Sequence, residues 1–142
     1  MSMRILGIDP GEKNIGLAIS DPTGTIANPL TVLTHVSHPV DAATIAQIAE
    51  EHQITRIIVG QALDADNRPT FQSRRSARLA QAIRSQTAIP VELWDESGST
   101  QAVRTALITA NAARSKRKGH HDELAATYIL QTYLDANPSS QR

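Results

Sequence analysis

The sequence predicts an α/β fold in which a mixed five-stranded sheet carries helices on both faces. Three strand-like segments separated by tight turns come first, and two further strands alternate with helices after them. Strands joined by tight turns pair antiparallel, whereas strands joined through helices pair in parallel. The chain has 142 residues, which is the size of one domain and leaves no room for a second.

The first three strands form the antiparallel part of the sheet. An apolar run over residues 4–9 predicts a buried central strand that ends in Asp9. Residues 14–20 follow closely enough to pair with it as a hairpin. A third strand covers about residues 26–33, and Pro29 inside it predicts an edge position because proline cannot donate to a neighbouring strand.

The rest of the chain alternates between helices and strands. Ile45, Ile48 and Ala49 recur at helical spacing. The predicted elements are a helix over residues 40–52, a strand over 56–60, a loop over 61–69, a helix over 71–85, a strand over 91–95, a helix from Ser97 or Ser99 to about Ala113, and a helix over 120–136. This order is the RNase H-like topology. We expect one domain over residues 1–136 and a loose tail over 137–142.

Composition excludes several classes of site. The chain contains no cysteine, so a disulfide framework, a thiolate zinc site and a cysteine nucleophile are all ruled out. No apolar run approaches the roughly 20 residues of a membrane span, and the N-terminus lacks a signal pattern. We therefore expect a cytoplasmic protein without a membrane partner.

Charge is balanced overall but clustered locally. The 14 basic and 14 acidic residues give a net charge of zero, so contact with a polyanion must come from local groups of cations. One group is Arg114, Lys116, Arg117 and Lys118, and a second is Arg74, Arg75 and Arg78.

Carboxylates stand at the ends of predicted elements. Asp9 closes the first strand, Asp95 and Glu96 close the fifth, and Asp122 opens the last helix. Asp122 lies four residues before Ala126, so it shares the core-facing stripe of that helix. Each alone has a structural alternative, as a turn residue or as a carboxylate at a helix start. Together they predict a site for Mg²⁺ or Mn²⁺, the hard cations that oxygen ligands suit.

The basic group at residues 114–118 has two interpretations. Most charge runs are solvated connections. This run, however, leads through Gly119 directly into the helix that carries Asp122. Arg114, Lys116, Arg117 and Lys118 are therefore candidates for positioning a phosphate backbone beside the carboxylates.

Four segments resemble the YqgF (RuvX) family of Holliday-junction-resolvase-like proteins. They are residues 5–21 (ILGIDPGEKNIGLAISD), 57–60 (IIVG), 94–100 (WDESGST) and 116–126 (KRKGHHDELAA). The resemblance implies an RNase H-like nuclease with catalytic, metal-binding acids at Asp9, Glu96 and Asp122, and with Asp95 as a neighbour of the ligand. It also implies 5′-end maturation of the small-subunit (pre-16S) ribosomal RNA precursor, with Holliday-junction resolution as the alternative. Ser97 stands where the family usually has arginine.

Two other classes of function stay open at this point. The segment that follows the first strand also resembles the phosphate loop of sugar kinases and actin, but that fold clamps ATP between two such domains. A non-catalytic nucleic-acid-binding module is the other alternative, and such modules tend to lose the acidic positions. A homodimer would suit a symmetric four-way junction.

Overall fold

A computed structural model describes residues 3–61, 66, 68–95 and 120–137, and for residues 120–123 it describes the backbone alone. The strands are β1 (Ile5–Pro10), β2 (Asn14–Ser20), β3 (Ala27–Thr34), β4 (Arg56–Gln61) and β5 (Val91–Asp95). The helices are α1 (His38–Glu51), α2 (Phe71–Arg84) and α3 (His120–Ala136). The helix predicted to end near Ala113, most of the predicted loop after β4, and residues 138–142 of the predicted tail lie outside the described residues.

The five strands form one mixed sheet in the order β3-β2-β1-β4-β5. β1 pairs antiparallel with β2, and β2 pairs antiparallel with β3. β1 pairs parallel with β4, and β4 pairs parallel with β5. This arrangement confirms the predicted fold class and the edge position of the strand that contains Pro29.

The predicted start of the first helix is two residues late. α1 begins at His38, because the Ser37 hydroxyl accepts a hydrogen bond from the Val40 backbone N–H at 3.3 Å and so caps the first turn. Pro39 fits there because the first helical residues have no carbonyl partner for an N–H group. Sequence periodicity misses this turn because its apolar stripe begins only further along the helix.

Helices cover both faces of the sheet, as predicted. On one face, α1 and α2 pack on alternate residues of the central strands; the buried residues there include Leu6, Ile8, Ile57, Val59, Ala42, Ile45, Leu79 and Ile83. On the other face, α3 packs on the intervening residues; that cluster includes Ile5, Ala18, Ile58, Ala126, Leu130 and Tyr133. The predicted apolar stripe of α3 is buried as expected.

Two glycines allow α3 to pack closely on the sheet. A Cβ atom added at Gly7 would lie 2.7 Å from the Cβ of Leu130, and one added at Gly60 would lie 2.7 Å from Cδ1 of Ile129. Trp94 of β5 also holds α3 on the sheet, since its indole N–H donates to the Thr132 hydroxyl at 3.0 Å. The helix therefore packs directly on the backbone of β1, and its Ile129 side chain packs on the backbone of β4.

Among the helices of the described ranges, none combines the length and the apolar character that crossing a membrane requires.

We expect Gly7→Ala to lower the free energy of unfolding by about 1–3 kcal/mol, the usual cost of overpacking a core. The added methyl group would meet a Cβ atom of α3, which no side-chain rotation can move. Gly60→Ala should cost less, because it would meet the branches of the Ile129 side chain, which can turn. Urea denaturation of both variants measures the difference, and an equal or smaller loss for Gly7→Ala would contradict this packing.

Candidate active site

Asp9 lies near the end of the central strand β1, where it pairs with Gly16 of β2. It is partly buried and has the same strand parity as Ile5 and Gly7. Those two residues face α3, because Ile5 belongs to the α3 cluster and Gly7 lies under Leu130. Since successive strand residues alternate between faces, Asp9 belongs to the α3 face of the sheet.

The direction in which α3 crosses the sheet shows where its first residues lie relative to Asp9. The Ala126 carbonyl and Leu130 lie over Gly7, the middle of β1. Further along α3, the Gln131 side-chain oxygen accepts a hydrogen bond from the Ala27 N–H at 2.9 Å. Ala27 pairs with Ser20, whose hydroxyl accepts from the N–H of Ile5 at the opposite end of β1. α3 thus runs antiparallel to β1. Its N-terminal end points toward the edge of the sheet that is formed by the carboxyl ends of β1, β4 and β5, where Asp9 lies.

Asp122 is the third residue of α3, so the predicted position of its backbone at the start of the last helix is confirmed. Its side chain lies outside the described residues, as does the whole of Glu96. The structure therefore directs the end of α3 that carries Asp122 toward the edge of the sheet where Asp9 lies. The roles of the three acids stay predictions.

Asp95 closes β5 and is partly buried. It shares strand parity with Val91 and Leu93, which pack against the cluster beneath α1 and α2. Trp94, one residue earlier, packs against the α3 cluster instead. Asp95 is therefore on the face of the sheet opposite to Asp9.

The predicted phosphate-positioning residues, which are Arg114, Lys116, Arg117 and Lys118, also lie outside the described residues. Within the described side chains, no group of three His, Asp or Glu could hold a metal ion. Asp9 is the one predicted ligand with a side chain in that part of the chain. The donor chemistry at Asp9, a carboxylate in a chain without cysteine, fits a hard divalent cation.

On the α1–α2 face, contacts with the two helices also surround this edge of the sheet. The Ser76 hydroxyl of α2 donates to the Gly60 carbonyl at 2.7 Å, and Arg75 lies 3.6 Å from Glu12 in the β1–β2 turn. The backbone N–H of His35 donates a hydrogen bond to the Lys13 carbonyl of that turn at 2.8 Å. These contacts hold the starts of α1 and α2 beside the residues that follow Asp9.

Sequence reasoning missed a pair at the start of α1. The His35 ring is partly buried, and its Nδ1 atom lies 2.5 Å from a side-chain oxygen of Asp41. Asp41 is 3% exposed, and its other oxygen accepts from the Val36 N–H at 3.0 Å. The available signal was an acidic residue in the first turn of an apolar helix, four positions after the Ser37 cap.

Asp21 has a lowered pKa, but it lies away from this edge, in the turn between β2 and β3. Its pKa is lowered from 3.8 to about 2, first by the Ile26 backbone N–H and then by the Thr23 hydroxyl. It holds the β2–β3 turn, since the N–H groups of Thr25 and Ile26 donate to one oxygen at 2.8 and 3.0 Å. The shift marks a structural carboxylate rather than a site.

Comparison with known proteins identifies the family. A family model described as "RuvX: Holliday junction resolvase" matches residues 3–136. The chain belongs to the RuvX family. A relative from Thermoanaerobacter pseudethanolicus is 41% identical, over 94% of this chain and 97% of its own length. One from Myxococcus xanthus is 36% identical, over 95% of this chain and 89% of its own. Both are named "Putative pre-16S rRNA nuclease".

Solved structures confirm the RNase H-like fold of this RuvX protein. Thermus thermophilus RuvC in complex with a Holliday junction substrate aligns with a TM-score of 0.60 at 17% identity, over 97% of both chains. The fowlpox virus Holliday junction resolvase aligns with a TM-score of 0.57 at 15% identity, over 94% of this chain and 99% of that one. The predicted family is therefore confirmed, and the chain is a hydrolase of the nuclease class.

Proposed function

We propose that this RuvX protein is a divalent-metal-dependent endonuclease that cleaves phosphodiester bonds in structured nucleic acid, and that its substrate is the 5′ end of the pre-16S ribosomal RNA precursor. The observation that carries the proposal is Asp9 at the end of the central strand, on the face and edge toward which the start of α3 points. The names of the relatives support the choice of RNA.

Asp9, Glu96 and Asp122 are the residues proposed to hold Mg²⁺ or Mn²⁺. When bound, such an ion activates a water molecule and stabilises charge on the phosphoryl oxygens. All three side chains offer carboxylate oxygens, the donors that these cations prefer. The backbone of Asp9 is held in place, because its strand is paired on both sides. Carboxylates gathered at one edge repel each other unless a cation lies between them.

Glu96 is proposed as the ligand in preference to Asp95. The described part of β5 supports this choice, because Asp95 shares a face with Leu93 and lies opposite to the face of Asp9. Asp95 is then assigned to the turn or to the start of the helix predicted after it. The resemblance to the family also supports Glu96, because it implies that the family's acid corresponds to this position.

Arg114, Lys116, Arg117 and Lys118 are proposed to position the phosphate backbone. The sequence places them immediately before α3, whose start points toward the edge that carries Asp9. Cations near the cleaved bond hold the substrate in register without reading its sequence.

The family description favours one alternative, the resolution of Holliday junctions in DNA. A two-fold homodimer would then present two sites to a symmetric four-way junction. Cleavage of a panel containing pre-16S RNA, a four-way DNA junction, single strands and plain duplex, with Mg²⁺ or Mn²⁺, separates the two substrates. Preference for the junction would replace the RNA assignment, and binding without any cleavage would favour a non-catalytic module.

We expect Asp9→Asn and Asp122→Asn each to reduce cleavage to below about one-hundredth of the wild-type rate, because each removes a proposed metal ligand. Without metal, stability should stay level or rise slightly, since a repelling carboxylate is removed. Asp135→Asn, an exposed position on α3, is the matched control and should cleave normally. Full activity of Asp9→Asn with the metal still required would refute the assignment.

The identity of the second ligand is tested by comparing Asp95→Asn with Glu96→Gln. Each variant removes one charge with little change in shape. We expect the larger loss of cleavage in Glu96→Gln, together with a higher metal concentration for half-maximal activity. A larger loss in Asp95→Asn would reverse the assignment.

The basic segment should govern binding rather than turnover. Replacing Lys116, Arg117 and Lys118 with glutamine should weaken substrate binding and flatten its salt dependence by about one unit of log–log slope for each phosphate that the variant no longer neutralises. Turnover at saturating substrate should change little. Binding is measured at several salt concentrations with Ca²⁺ in place of Mg²⁺. An unchanged slope would identify the segment as a solvated connection.

A further inference from the structure

A cleft of about 210 Å³ opens between the start of α1 and the first turns of α2, on the face of the sheet opposite to Asp9. Its lining is cationic and aromatic: His35, His38, Phe71, Arg74, Arg75 and Arg78. The nuclease chemistry proposed above uses none of these side chains. The cleft nevertheless lies at the same edge of the sheet, because α2 is bonded there to Gly60 and contacts Glu12 in the turn after Asp9.

The three arginines carry excess positive charge. Among the described residues, Arg75 meets one carboxylate, that of Glu12 at 3.6 Å, and the Glu12 side chain is 80% exposed. No described carboxylate lies within 4.0 Å of Arg74 or Arg78. Arg74 and Arg78 are four residues apart on one helix, a spacing at which like charges repel. An anion in the cleft would remove this repulsion.

A buried carboxylate holds the His35 ring on one side of the cleft. The buried Asp41 carboxylate contacts Nδ1 of His35, which leaves Nε2 as the ring nitrogen that can contact a ligand. The His38 Nδ1 atom is buried and has no hydrogen-bond partner within the described part of the chain. The cleft therefore presents fixed polar groups opposite the arginines rather than a loose surface.

Phe71 adds an aromatic surface at the mouth of the cleft. It is the one phenylalanine of the chain and is 83% exposed. It begins α2, where reciprocal hydrogen bonds between Thr70 and Ser73 fix the first turn. The Arg74 guanidinium lies 5.8 Å from the centre of its ring. Proteins that bind single-stranded nucleic acid combine such groups, since arginines track phosphates while bases stack on aromatic rings.

We propose that this cleft binds an unpaired nucleotide of the substrate strand, with a phosphate held by Arg74 and Arg78 and the base stacked on Phe71. The proposal rests on the function proposed above and extends it. The strand would pass over the edge of the sheet from the Asp9 face to the α1–α2 face. Base stacking requires an unpaired base, so the cleft selects substrates with a single-stranded stretch near the cleaved bond.

A charge-matched comparison of double variants tests the phosphate contact. Arg74→Gln/Arg78→Gln is compared with Arg56→Gln/Arg84→Gln, which removes the same charge from the start of β4 and the end of α2. The ligand is a fluorescein-labelled single-stranded oligoribonucleotide in Ca²⁺, read by anisotropy. The first variant should bind about tenfold more weakly, with a salt slope flatter by about 0.7 for each phosphate that it no longer neutralises. Equal losses of affinity in both double variants would overturn the proposal.

The stacking contact is read directly with Phe71→Trp. Trp94 is the one tryptophan of the wild-type chain, so the wild-type signal gives the background. The single-stranded oligonucleotide should quench the added indole, and Arg74→Gln/Arg78→Gln in the same protein should abolish the quenching. Quenching of equal size by a blunt duplex, or no quenching by the single strand, would overturn the assignment to an unpaired nucleotide.

Both measurements are independent of cleavage, so the two proposals fail separately. If the wild-type protein cuts no substrate but single-strand binding depends on Arg74 and Arg78, the cleft stands and the nuclease proposal falls. If the protein cleaves while both double variants bind alike, the reverse holds. Circular dichroism of each variant checks that the fold is intact.

Discussion

The close approach of α3 to the backbone of β1 and β4 is the constraint on which the rest of the structure depends. It depends most on Gly7, because a methyl group there would meet the Cβ atom of Leu130 at 2.7 Å, whereas one at Gly60 would meet the Ile129 side chain, which can turn. With the helix at that distance, Ala126 and Leu130 seal one face of the sheet and the helix start is directed toward the edge that carries Asp9. A carboxylate on a helix and one on a strand can act together only if this spacing is kept.

The architecture was predictable because its signals are local. Residues 14–20 and 91–95 were placed without error, and Pro29 marked the edge strand. The apolar stripe of α3 could be predicted from spacing alone, since its buried residues recur at helical intervals on one side of the helix. The start of α1 was missed because a cap is a hydrogen bond of Ser37, and polarity patterns do not record it.

The candidate site was predictable only in part. Asp9 could be located because a carboxylate that ends an apolar strand is visible in the sequence. The face to which Asp95 belongs depends on the register of β5 against β4, which pairs Gln61 with Asp95. The contact between His35 and Asp41 depends on the backbone conformation of the residues before α1, which local polarity does not indicate. The arginines of α2 were visible as a group, but the cleft they line exists only after α1 and α2 pack together.

Pro29 has a consequence beyond its place in the sheet. Edge strands expose unpaired backbone groups that can template the addition of a foreign strand, which is a common route to aggregation. On β3, proline removes one donor, and the register against β2 shifts between the pairs Leu17–Thr31 and Ala18–Pro29. An irregular edge of this kind is a poor template for a continuous ladder. This boundary of the sheet thus resists uncontrolled polymerisation through main-chain pairing.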